Sequence, residues 1–280
     1  MHPMKLCSSN RAAVALTLAG LIVLTSGCAS LRRSGPAPQG EQTLTVVAAC
    51  ALAVPLDAIG AIFQQRHPGV RYLGTYTGVQ QILMQLQHGL RADVFAAASS
   101  EDMALARERG SVADARPMAY NRVCVVAWPG AHLTGLRDLA RPGLKVVVMS
   151  PNAPIGRCTD RCLEGMAADH DFGAEMVKGI RANVKSEETE ARDVITHVAS
   201  GEVDAGFGWL SDARTSGSKV ETFDLPQALS PPVEFPIAVL KSSQQTELAQ
   251  QFVDIALSAE GQAILKQYGF TPAIADKSGV

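Results

Sequence analysis

Sulfur is the most reactive chemistry written into this chain. Cys158 and Cys162 stand four residues apart in Cys158-Thr159-Asp160-Arg161-Cys162, while Cys50 and Cys124 belong to apolar runs. On a helix, a spacing of four places both thiols on one face, where a disulfide would be strained; burial as small hydrophobes is the alternative. A metal centre finds no support, because the six His are scattered and none falls at ligand spacing, and no cofactor is implied. A thiol-dependent enzyme built on Cys50 would need a base and an orienting group beside the thiol, and no His stands near it in sequence. The second chemistry is electrostatic. Pro154-Ile155-Gly156-Arg157 reads as a helix opening, whose first N–H groups lack intrahelical acceptors and favour an anion. Arg157 there either adds a bidentate grip on such an anion or is a solvated cation of the first turn.

These groups need elements to hold them, and the hydrophobic pattern supplies strands and helices in alternation. Residues 44–49, 70–73, 92–97, 123–128, 144–149, 203–208 and 235–240 read as strands. Helices are predicted over 55–65, with Leu56, Ile59, Ile62 and Phe63 on the apolar side, and over 79–87, with Ile82, Leu83 and Leu86. Ser99-Ser100-Glu101-Asp102 offers a cap for a helix reaching Arg109. Further helices are expected over 154–168 and 191–199, and one long or broken helix over 247–268. The alternation predicts a parallel sheet, with helix N-termini collected at its carboxyl edge, where open α/β sheets bind ligands. Asp204 and Asp212 read as structural, whereas Trp209 and Tyr76 fit either a core or a ligand lid.

Hydrophobic residues at 47% and charged residues at 19% describe a globular chain, and a formal charge of −2 gives no nucleic-acid surface. The N-terminus differs in kind. Lys5 and Arg11 precede an apolar run over 12–24, too short for a comfortable spanning helix, and Leu24-Thr25-Ser26-Gly27-Cys28 closes it with small residues. This is a signal peptide similar to the bacterial lipoprotein type, in which Cys28 would become the acylated N-terminus; an ordinary cleaved signal and an uncleaved anchor are the alternatives. The expected layout is signal 1–27, flexible tether 28–42, and an exported folded region held by lipid on a periplasmic or outer cell-surface membrane face. Cys50, Cys124, Cys158 and Cys162 then remain, an even number that permits two disulfides in an exported chain.

Four segments carry a family resemblance: residues 44–52 (Leu-Thr-Val-Val-Ala-Ala-Cys-Ala-Leu), residues 92–99 (Ala-Asp-Val-Phe-Ala-Ala-Ala-Ser), residues 190–213, which include Gly201-Glu202-Val203-Asp204-Ala205-Gly206, and the closing 235–239 with 261–270. In order and spacing these resemble the molybdate-binding proteins of ABC transporters. The resemblance implies a two-lobed α/β fold of the type II periplasmic-binding-protein kind, with lobe one at 43–122 plus 237–280, lobe two at 123–236, and the ligand cleft between them. It implies capture of molybdate or tungstate for an ABC permease by neutral donors. Carried over position by position, those donors fall on Ala51, Val79, Ile155, Ala191 and Trp209, with Thr77 taking the place of Val79 if one residue is skipped. The family's hydroxyls are replaced at Ala51, Val79 and Trp209, so the same scaffold holding a different anion or small organic ligand stands as the alternative. Arg157, and Cys50 with Cys158 as thiols approaching from opposite lobes, are the additional candidates. An effector domain of a transcription regulator shares such a fold but would need a DNA-binding segment where this chain has its signal.

Overall fold

The computed structural model describes residues 42–273; the signal segment, Cys28 and its proposed lipid lie outside the described residues. The chain opens with β1 (Gln42–Ala49), α1 (Ala53–Arg66), β2 (Val70–Thr77), α2 (Val79–Gln87), β3 (Val94–Ala96), α3 (Ser100–Glu108) and β4 (Val112–Asn121). Leu44, Val46, Val47 and Ala48 are buried on both faces of β1, which pairs in parallel with β2 and β3. That continuous apolar run is what a central parallel strand requires. Ser99 caps α3 by accepting the Asp102 N–H at 3.1 Å, as its position predicts. Buried Asp93 ties β3 to its neighbours, accepting the Thr45 N–H at 2.8 Å and the Ser243 hydroxyl at 2.7 Å.

Arg122 alone separates β4 from β5 (Val123–Ala127), the first strand of a second sheet. There follow β6 (Val146–Met149), α4 (Pro154–Ala168), α5 (Ala174–Asn183), β7 (Val184–Glu188), α6 (Ala191–Ser200), β8 (Ala205–Trp209), α7 (Leu210–Thr215) and β9 (Glu221–Asp224). The chain returns to the first sheet with β10 (Val233–Leu240), then α8 (Thr246–Leu257), α9 (Ala259–Gln267) and β11 (Thr271–Pro272). The expected 247–268 helix is thus broken, at Ser258, whose hydroxyl caps α9 through the Gly261 N–H. No helix among the described residues is long and apolar enough to cross a membrane.

The result is two α/β lobes, one on a six-stranded sheet of order β11-β4-β10-β3-β1-β2 and one on a five-stranded sheet of order β7-β6-β8-β5-β9. Neither sheet is purely parallel, which corrects the simple alternation. β10 runs antiparallel to both β3 and β4, and β5 antiparallel to both β8 and β9, because the chain crosses between sheets twice and re-enters each from the other side. The seam at the crossing is aromatic and polar. Trp209 meets Phe235 edge to face at 5.2 Å, Phe235 meets Phe270 likewise at 5.4 Å, and the Asn121 amide donates to the Ser211 hydroxyl at 2.8 Å.

Asp212 sits in the first turn of α7. Its residue keeps some exposure, but its Oδ2 is buried with no hydrogen-bond partner among the described residues. Burial pushes its carboxyl up to about 7, with Arg192 pulling the other way. Such a group holds its proton longer when folded than when unfolded, so it lends stability in full below the ordinary 3.8 and loses it as pH rises through about 7. Asp212→Asn is therefore expected to raise the melting temperature more at pH 8 than at pH 5. Thermal unfolding of both proteins across that range checks this, and a gain that does not grow with pH would contradict it.

Candidate functional site

A cavity of about 190 Å³ opens between the carboxyl edges of the two sheets. Its wall from the first sheet comes from the Cys50–Leu52 turn after β1, the start of α2 after β2, and Ala98 after β3. The opposite wall comes from the loop between β6 and α4, the start of α6 after β7, and Trp209 at the end of β8. Drug-sized ligands occupy pockets of about 300–1,000 Å³. This one suits something smaller.

The wall is rich in donors and poor in charge. In α2, α4 and α6 the first backbone bonds run from Gln81 to Gly78, from Arg157 to Ala153 and from Asp193 to Glu190, each at 3.0 Å. The N–H groups ahead of them, at Val79, Gln80, Ile155, Gly156, Ala191 and Arg192, have no acceptor inside their own helices. In none of these three helices does the capping residue's side chain accept a first-turn N–H, unlike Ser99 in α3. Each such terminus carries roughly half a positive charge. No Lys or Arg lines the cavity among the described residues. An anion held here would be met by backbone dipoles rather than by a cation, the arrangement that helix starts favour.

Gly156 fixes where α4 begins. A Cβ added there would stand 2.0 Å from the Ser150 carbonyl oxygen, so only glycine lets the helix start pack this closely on the loop from β6. Pro154 in the first turn has no N–H to leave open and presets the helical φ.

One side chain reaches across the cavity. Glu190, immediately before α6, accepts the Gly78 N–H at 3.0 Å on Oε1 and the Cys50 thiol at 2.6 Å on Oε2; the Thr77 hydroxyl lies 3.2 Å from Oε1 but has a nearer acceptor in Gln81 Oε1 at 2.6 Å. Burial and the adjoining Glu190 carboxylate push the Cys50 thiol up to about 12. The sulfur is thus a protonated donor at neutral pH, the opposite of an activated nucleophile.

Of the positions expected from sequence, the structure gathers Ala51, Thr77, Val79, Ile155, Ala191 and Trp209 around this one cavity. Arg157 is not among them, and both readings of it are corrected. Its guanidinium pairs with buried Asp102 at 3.0 Å and donates to the Ser99 hydroxyl at 3.3 Å and the Asn152 carbonyl at 2.8 Å, joining α4 to α3. A carboxylate as buried as Asp102 needs such a partner, and it also accepts from the Gln80 amide and from the Ser99 hydroxyl, each at 2.9 Å. The thiol pairing is also corrected. Cys50, Cys124, Cys158 and Cys162 are all free, and Cys158 lies buried on α4 against Arg161, away from the cavity lining. Trp209 is both core and wall: it is 2% exposed, packed on Phe235, and yet lines the cavity. Tyr76 turns elsewhere, donating to Asp57 at 2.5 Å. Asp204 is structural, its carboxylate accepting the Lys145 N–H at 2.7 Å. Remote from the cavity lining, ligand-type atoms of Asp169, His170 and Asp171 lie within 4.8 Å of one another at the surface, a local grouping that the search for His at ligand spacing passed over. Sequence reasoning took Glu190 only as the start of a motif. A long acid where a short capping residue is usual was the available signal.

Residues 44–271 match the family model of bacterial extracellular solute-binding proteins. The chain is 35% identical over 259 residues to the molybdate-binding protein ModA of Mycobacterium tuberculosis, covering 91% of this chain and 94% of that protein. Among solved structures it is similar to the sulfate-binding protein SubI from Mycobacterium tuberculosis, with a TM-score of 0.72, 21% identity and coverage of 84% of this chain and 88% of that one. It is also similar to the periplasmic molybdate-binding protein of Azotobacter vinelandii, with a TM-score of 0.68, 18% identity and coverage of 81% and 98%. At these identities the two structures speak to the fold alone.

Gly156→Ala should force α4 away from Ser150 and lower the free energy of unfolding by about 1–3 kcal/mol, the usual cost of overpacking. Denaturant titration of the two proteins measures it; equal midpoints would show that the close approach constrains nothing.

Proposed function

The chain belongs to the bacterial extracellular solute-binding protein family, and we propose that it captures a small oxyanion, molybdate, between its two lobes and delivers it to an ABC permease. The observation that carries this reading is the convergence of uncapped helix starts, at Val79, Ile155 and Ala191, with the Ala51 turn on one small cavity lined by no Lys or Arg among the described residues. Tungstate, an oxyanion of the same charge and shape, falls within the same proposal. The ligand-binding set is Ala51, Val79, Ile155, Ala191 and Trp209, with Thr77 beside them.

A different anion on the same scaffold is the second reading. Ala51, Val79 and Trp209 place no hydroxyl where the resemblance expects one, and each hydrogen bond so lost costs about 1 kcal/mol, and more when its partner is charged. We further propose the lobe division 43–122 plus 237–280 against 123–236, and an exported protein whose Cys28 lipid holds it beside its permease at the membrane.

Calorimetric titration with molybdate, tungstate, sulfate and phosphate is expected to show saturable binding of the first two at micromolar concentration or below. Absence of heat with both would remove the molybdate reading, and binding of sulfate or phosphate alone would establish the second. Cys28→Ala is expected to move the protein from the membrane to the soluble fraction in a bacterial host and to abolish incorporation of labelled palmitate. An unchanged distribution would remove the anchor.

A further inference from the structure

The carboxylate of Glu190 stands on donors that face the cavity. Its Oε1 holds the Gly78 N–H and its Oε2 holds the Cys50 thiol, while the Thr77 hydroxyl, bonded to Gln81 Oε1 at 2.6 Å, stands 3.2 Å from Oε1. Both donors follow strands of the six-stranded sheet, β1 for Cys50 and β2 for Gly78, whereas Glu190 follows β7 of the five-stranded sheet, so the carboxylate spans the cavity from one wall to the other. The fit is close: a Cβ on Gly78 would come within 3.3 Å of Oε1. No Lys, Arg or His among the described residues forms an ion pair with Glu190; its hydrogen bonds come from neutral groups of the kind that would answer a ligand, with Arg192 acting on Cys50 from further off. A negative group already occupying neutral donors repels a second negative group brought to them.

We propose that Glu190 is the specificity-determining residue of this cleft, an internal carboxylate that competes with an incoming oxyanion for the Gly78 N–H and the Cys50 thiol. The proposal rests on the oxyanion reading above. A fully deprotonated dianion has to expel the carboxylate and then tolerate its charge nearby. The cleft therefore binds such an anion more weakly than its donors alone would allow, and Glu190 sets that margin. Removing the charge while keeping the shape should release it: the Gln amide can still accept through its oxygen, but it holds the donors less strongly than a carboxylate does.

The test compares molybdate affinity by calorimetry at pH 7.5 for the native protein and Glu190→Gln. Glu187→Gln, an exposed change in β7, serves as control for net charge alone. Glu190→Gln is expected to bind about tenfold more tightly or better, the scale of one charge-assisted hydrogen bond, with the Glu187 variant unchanged. Equal or weaker binding by a folded Glu190→Gln, with the native protein still binding, overturns this proposal and leaves the oxyanion reading in place. So does an equal gain in both variants, which would reduce the effect to net charge. Binding by Glu190→Gln where the native protein shows none supports it strongly. If neither protein binds molybdate, tungstate, sulfate or phosphate, the oxyanion reading fails and this proposal falls with it. Glu190→Ala makes the same comparison should the Gln variant not fold.

Discussion

A cavity wall without Lys or Arg constrains this fold more than any other feature. A charge brought into such a space has to be stabilised by neutral dipoles, and a single N–H group stabilises little. The fold answers by bringing several helix starts to one place, each offering open N–H groups and the positive end of its dipole. That requirement dictates the rest. Parallel strands must end side by side so that the following helices begin side by side. Two such sheets must then face each other, because one edge supplies donors from one direction only. The starts of α2, α4 and α6 have no capping side chain to satisfy the N–H groups that the cavity presents, a lack they share with α1, α5, α7 and α8, so it is their convergence that marks the site.

The same shortage of cations explains why Arg157 could be placed near the site from sequence and still be absent from its lining. A guanidinium one turn into α4 finds Asp102, a buried carboxylate in the first turn of α3, before it finds the cavity. The pair joins elements that follow strands of different sheets and leaves the anion-facing donors neutral. Cys50 shows the parallel case for sulfur. Beside Glu190 its thiol keeps its proton, so a residue that looked like a reactive group acts as a hydrogen-bond donor.

Most of the framework was legible in the residues. Apolar runs such as Leu44 to Ala49 announce central strands, and Ser99 three residues before Asp102 announces a cap, because both signals are local and strong. The ladder β4 was not legible: Pro117 and a run of interspersed polar residues carry no local strand signal, and its partner β10 lies more than a hundred residues away in the chain. The edge strand β7, Val-Lys-Ser-Glu-Glu, hides for the same reason, since an edge needs little apolar content. Within the site, backbone donors could be mapped because they depend on where helices begin. What the side chains do there could not, since Glu190 meets Cys50 across 140 residues of sequence, and only the folded geometry joins them.

Trp209 lies in the cavity wall and also in the edge-to-face series with Phe235 and Phe270 that stitches one sheet to the other. A change of size at that indole would loosen the seam as well as reshape the cleft, so this wall is expensive to alter. Val79 is likewise buried in the core, whereas Ala51 is only half-buried and takes no part in an aromatic seam. Variation in cargo therefore has an easier route through the turn at Ala51 than through the tryptophan or the buried Val79. The mechanical seam makes one side of the cleft evolutionarily stiff and leaves the Ala51 turn free to drift.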